Sequence, residues 1–165
     1  MAYRYKCSKC DKWHEGWPDV AYDEPDCTVG IAGPEREKRV TLSSDLCTLD
    51  KEFFFIRCRL LVKVRGTGED LGWGVWSSLS RENFKRYYAS YDEDLSDWEP
   101  MFGYLSNRLA HYPDTLNLKL SVQTGARGAR PAVQLESTDH PLAIDQRDGI
   151  SLEKLLEIVG PYLAH

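Results

Sequence analysis

Apolar and polar positions alternate most regularly from Phe53 to Leu79, the stretch FFFIRCRLLVKVRGTGEDLGWGVWSSL. Phe54, Ile56, Cys58, Leu60, Val62 and Val64 fall on one face of an extended chain. Phe53, Phe55, Arg57, Arg59, Leu61 and Lys63 fall on the other. A period of two with one wholly apolar face predicts a β-strand. Arg65-Gly66-Thr67-Gly68 supplies turn chemistry, because glycine accepts positive φ without a Cβ penalty. The return strand carries Leu71, Trp73, Val75 and Leu79 on one side, with Gly72 and Gly74 on the other, where a neighbouring group can approach the backbone closely.

Ser80 is a helix N-cap candidate, and Phe84, Tyr87, Tyr88 and Tyr91 follow at the spacing of one buried helical face. The acidic stretch Asp92 to Glu99 ends that helix, and Phe102 to Leu109 reads as a short second one. Thr115 to Thr124 alternates again, with Leu116, Leu118, Leu120 and Val122 on one face. Gly125 to Arg130 is a turn, after which Val133 and Leu135 continue the apolar face in a fourth strand. Pro131 places that strand at an edge or marks its first residue. Ser151 then caps a helix with the stripe Leu152, Leu155, Leu156, Val159 and Leu163. The expected fold class is α+β, an antiparallel sheet from two β-hairpins, each followed by a helix.

Ahead of this body, residues 18–40 are rich in Pro, Gly and charge and predict loop, with a helical turn near Glu35 to Arg39. Residues 1–17 are too short to bury a core of their own. The expected organisation is one domain over 1–165: a metal-knuckle appendage at 1–17, a loop-rich connection at 18–52 and the α+β body at 53–165.

Composition narrows the function classes. A net charge of −5 over 165 residues argues against a dedicated nucleic-acid binder and suits solubility or a basic protein partner. No apolar run approaches the roughly 20 residues that span a bilayer, so no membrane role is expected. The N-terminal stretch has no apolar core of a signal peptide, which makes the cytoplasm the expected compartment. An odd number of cysteines in a reducing compartment leaves metal ligation and plain burial as their roles.

Cys7-Ser8-Lys9-Cys10 is the sharpest chemical signal. Two thiolates at this spacing on a tight turn converge on one cation, as in tetrahedral zinc sites. His14, four residues on, is the third candidate ligand; Cys27 and Cys47 are both candidates for a fourth, and Cys58 faces the apolar side of its strand. The segments around His111 to Thr115 and Thr138 to Pro141 set histidine beside aspartate, which can orient a general base but equally builds turns and caps. Arg57 interrupts an aromatic strand: paired it is structural, unpaired in a cleft it binds an anion.

The chain resembles the bacterial family called domain of unknown function 2199. The matching segments are Cys7-x-x-Cys10 with His14, Asp45-Leu46-Cys47, Phe55-Ile56-Arg57, and Trp73 to Trp76 with Ser78 to Ser80. Further segments are Tyr112 to Lys119, Thr138 to Leu142, and Gln146 to Ile150. The resemblance brings no activity with it, but it implies Cys47 as the fourth ligand with Cys7, Cys10 and His14. The expected function is a zinc-stabilised binding or interaction module; the alternative is a small enzyme using the Asp114, Asp139 and His140 region.

Overall fold

The structure is a computed structural model that describes residues 3–163, so the outermost ends of the segments expected at 1–17 and 53–165 lie outside the described residues. The elements in chain order are β1 (Arg4–Lys6), β2 (Trp13–Glu15), β3 (Val20–Ala21), α1 (Asp26–Val29), α2 (Gly33–Arg39), β4 (Val40–Leu42) and β5 (Leu46–Leu49). They continue with β6 (Phe53–Val64), β7 (Glu69–Leu79), α3 (Arg81–Ala89), β8 (Met101–Tyr104), β9 (Lys119–Gln123) and β10 (Ala132–Leu135). Two helices, α4 (Pro141–Asp148) and α5 (Leu152–Val159), and a 3-10 turn at Gly160–Tyr162 complete the chain. The protein is therefore mixed α+β with a sheet-rich core and few helices.

The hairpin β6–β7 pairs antiparallel from Phe54↔Leu79 to Val64↔Glu69, closed by a turn in which Gly66 and Gly68 both take positive φ. Its alternating face, Phe54 through Val64 with Leu71, Trp73, Val75 and Leu79, forms the main core. Helix α3 follows, its first turn capped by Ser80, whose hydroxyl accepts from the Asn83 N–H at 3.1 Å. Phe84 and Tyr87 are buried, whereas Tyr88 and Tyr91 of the expected stripe are exposed. In α5 the buried residues are Leu155, Ile158 and Val159, while Leu152 is exposed.

Strand order in the large sheet is β3-β7-β6-β10-β9-β8, with β5 on the first half of β6 and β4 on β5. The sheet is mixed where an antiparallel one was expected: β3 runs parallel to β7, and β10 parallel to β6 at Ala132↔Arg59. The end of β8 also returns to β7, through the bridge Ser77↔Leu105 and the Ser106 N–H on the Trp76 carbonyl at 2.9 Å. The path from β7 through β6, β10, β9 and β8 thus closes on itself around the main core.

Residues Met101–Tyr104 form a strand, not the start of the helix expected over Phe102 to Leu109. Met101 and Gly103 are buried while Phe102 and Tyr104 are exposed, the alternation of an extended chain. Residues 18–52 carry β3, α1, α2, β4 and β5. They cover the outer side of the hairpin, where Cys47, Leu49, Phe55 and Trp76 make a second small core. Gly72 and Gly74 admit close neighbours: a Cβ at Gly72 would meet the Asp19 carboxylate at 2.7 Å, and one at Gly74 would meet Ala21 Cβ at 3.2 Å.

Candidate metal centre

Residues 4–15 build a local hairpin. β1 pairs with β2 in the register Arg4↔Glu15, Tyr5↔His14 and Lys6↔Trp13. The loop between them folds back through Cys7 N–H to Lys12 O at 2.8 Å and Asp11 N–H to Cys7 O at 2.9 Å. Asp11 takes φ 57°, a left-handed conformation that aspartate tolerates better than most residues. This turn converges the side chains of the CxxC pair, and the antiparallel register brings His14 back to them.

Sγ of Cys7, Sγ of Cys10 and a ring nitrogen of His14 lie within 4.8 Å of one another, a group that could hold a metal ion. Cys10 Sγ and His14 Nε2 are 3.2 Å apart. Tyr5 stacks on the His14 imidazole at 5.5 Å between ring centroids, which holds the ring in place. The Lys9 N–H points at Cys7 Sγ from 3.4 Å. Together with the Cys10 N–H, it draws the Cys7 thiol below its ordinary pKa, because hydrogen bonds to sulfur favour the thiolate.

Cys47, expected as the fourth ligand, is not in this group. It sits on β5 facing Phe55, fully buried with Leu49 and Trp76 on the outer side of the hairpin. Burial pushes its thiol up to about 12, the environment of an apolar core residue rather than a thiolate ligand. Its strand position turns it into the second core, so the knuckle is not tied to the sheet through it. The tie is made by other groups: β3 pairs with β7, and Trp17 donates its indole N–H to the Asp70 carbonyl at 3.1 Å. Cys58 is buried in the main core, where desolvation raises its pKa, and Cys27 is exposed on α1.

The histidine–aspartate segments perform structural tasks. His140 is the N-cap of α4: its Nδ1 accepts from the Leu142 N–H at 3.1 Å. That leaves the proton on Nε2, which faces the carbonyls of Pro113 and Asp114 at 3.2 Å each. Asp114 accepts from the Leu116 N–H and pairs with Arg108 at 3.2 Å. His111 and Asp139 are exposed. The other motif segments are equally occupied. The Thr115 hydroxyl donates to the Asn107 carbonyl at 2.7 Å, and Tyr112 OH donates to Asp145 at 2.7 Å. Gln146 clasps the edge of β10, donating to Val133 O at 2.9 Å and accepting from the Leu135 N–H at 2.8 Å.

Arg57 lies buried beside Trp76, its guanidinium carbon 5.8 Å from the ring centroid. Around it stand residues to which the sequence pattern gave no role at a site. Asp45 accepts from Arg130 Nε at 2.9 Å, from Tyr91 OH at 2.8 Å and from the Ser44 hydroxyl at 3.0 Å. Asp19 pairs with Arg59 at 3.5 Å. The signals were the two arginines in the Gly125 to Arg130 turn and Asp45 ahead of β5.

Among the described residues, no helix is long and apolar enough to cross a membrane. No curated protein and no solved structure matches the chain. The family model described as an uncharacterized protein conserved in bacteria (DUF2199) matches residues 6–150, from the knuckle to the strand bridge at Ile150, and the chain belongs to that family.

Proposed function

We propose that this protein is a binding module whose N-terminal hairpin is stapled by one structural zinc ion on Cys7, Cys10 and His14. The observation that carries the reading is the convergence of the two sulfurs and the imidazole within 4.8 Å at the end of a two-stranded hairpin. Bonds of about 2.3 Å to sulfur and about 2.0 Å to nitrogen at a tetrahedral angle would place the two donors roughly 3.5 Å apart. The Cys10–His14 separation of 3.2 Å is close to that span. A hairpin of three-residue strands has too little apolar area to hold itself together. Metal binding would supply that folding free energy directly. Water or a donor from a partner would complete the coordination.

The partner we favour is a basic protein. The exposed carboxylates of Asp92, Glu93, Asp94, Asp97 and Glu99 and the net charge of −5 support it. We place the protein in the cytoplasm, where five reduced thiols persist. Elemental analysis of the purified chain is the test of the metal. About one zinc per chain, lost in Cys10→Ser, supports the staple. A metal-free wild type that melts with the same profile as Cys10→Ser overturns it. For the partner, Lys substitutions at Asp92, Glu93 and Asp94 should abolish capture of whatever the wild type retains from its own cell.

A further inference from the structure

The strongest unexplained polar group in the fold is Arg57. Its residue is only 8% exposed, yet its Nε has no hydrogen-bond partner among the described residues. Among the described residues its Nη1 reaches only the Ser44 carbonyl, at a long 3.4 Å. It forms no ion pair among the described residues, whereas neighbouring Arg59 and Arg130 do. Buried guanidinium groups are normally matched by a carboxylate or a full set of acceptors, since an unsatisfied buried donor is costly.

The guanidinium borders a cleft of about 620 Å³ between the knuckle and the outer face of the β6–β7 hairpin. Lys6, Lys9, Arg57, Arg59 and Arg130 line it, against the carboxylates of Asp19 and Asp23. A chain of net charge −5 thus gathers five cations around one concavity. Gly74 forms part of the wall, where a Cβ would come into contact with Arg57 Nη2 at 3.8 Å. Tyr5 and Trp17 add aromatic surface beside the cations. Burial, and then the charge of Arg130, hold the Arg57 guanidinium below its ordinary pKa, against the smaller opposing pull of the Asp23 and Asp45 carboxylates.

We propose that this cleft is an oxyanion-binding site in which Arg57, flanked by Arg59 and Arg130, takes the phosphate or carboxylate head of a small organic ligand. The planar guanidinium fork matches both groups in a bidentate manner. Tyr5 and Trp17 are placed to receive the apolar body next to that head. The inference deepens the binding-module reading and does not depend on the metal.

The test is isothermal titration of the full chain with inorganic phosphate, phenyl phosphate and benzoate at low and high salt. Saturable binding, weaker at high salt, supports the site, and the tighter of phenyl phosphate and benzoate identifies the head group. Arg57→Met should weaken that binding by about tenfold or more. If Arg57→Met does not fold, Arg59→Ala and Arg130→Ala carry the same test, each expected to weaken binding severalfold. Absence of saturable binding to all three probes, or unchanged affinity in the folded variants, overturns the proposal. A protein that carries its zinc but binds no probe refutes this inference alone. One that binds the probe without zinc refutes only the staple.

Discussion

Gly103 on β8 lies directly against Ser78 on β7: a Cβ at Gly103 would overlap the Ser78 carbonyl oxygen and the Ser77 hydroxyl. The Tyr104 N–H donates to the Ser78 hydroxyl at 3.0 Å beside it. This is the point where the sheet closes on itself, so the strand spacing depends on one missing methyl group. The Ser78 carbonyl oxygen is backbone and cannot swing aside as a side chain can. Gly103→Ala should therefore force the strands apart and cost about 1–3 kcal/mol, or a fall in melting temperature of roughly 2–4 °C per kcal/mol. Gly72→Ala is the comparison, because its close neighbour is the half-exposed Asp19 carboxylate, which can swing away. Denaturant titration of both variants decides the matter; equal stability for Gly103→Ala and wild type would contradict the tight closure.

Cys47 and Cys10 should respond in opposite ways to substitution. Cys10 is exposed in the knuckle and Cys47 is buried against Trp76. Cys47→Ala should retain the metal of the wild type and lose roughly 1–2 kcal/mol of stability, the scale of trimming a small core side chain. Cys10→Ser should lose the metal and with it the order of the knuckle hairpin, while the β6–β7 core, which Cys10 does not join, keeps its urea midpoint. Metal content and urea melts on the two variants give four numbers, and loss of metal from Cys47→Ala would restore it as a ligand.

His140 is expected to matter for its acceptor nitrogen and not for proton transfer. Replacing it by alanine removes the α4 cap and should cost about 0.5–2 kcal/mol. Asparagine offers an acceptor at the same distance from the backbone and is itself a favoured cap, so His140→Asn should recover most of that loss. Thermal melts of the pair are the measurement. If asparagine is no better than alanine, the imidazole has a role that capping does not describe.

What could be read from the sequence was what is local. The β6–β7 strands follow from period-two alternation over many residues, and the Ser80 and Ser151 caps from one residue type at a helix start; Ser151 accepts from the Lys154 N–H at 3.1 Å. Cys7, Cys10 and His14 are a local set too, because a tight turn and one strand register suffice to converge them. Cys47, which the family resemblance implied as a ligand, lies outside that group because β5 turns it into the second core, and a motif segment does not say which face a strand residue takes. β8 was misread because four residues are too few to separate a period of two from a helical one. The cleft was illegible for a different reason. Its cations come from β1 and the knuckle loop, from β6 and from the turn ahead of β10. The parallel pairing at Ala132↔Arg59 brings Arg130 level with Arg57, and alternation carries no trace of that register.

Asp45 should make the fold acid-sensitive. Burial alone would raise its pKa, but the hydrogen bonds from Tyr91, Arg130 and Ser44 outweigh burial and hold the carboxyl below its ordinary value. A carboxyl with a depressed folded pKa contributes stability that is fully present above its unfolded pKa of about 3.9. That contribution is lost as pH falls through the lower folded value, where both states bind the proton. Asp45→Asn should therefore be less stable than wild type near neutrality, and the gap should narrow as pH drops below about 4. Lys154–Asp145 and Arg39–Asp50 remain in both proteins, so the difference between the two curves isolates Asp45. Denaturation midpoints measured across pH 2.5–7 for the pair are the test, on the order of one point per half unit. Parallel curves would mean that the Asp45 contacts contribute nothing that depends on its charge. They would also leave Arg130 held in the cleft by something other than this carboxylate.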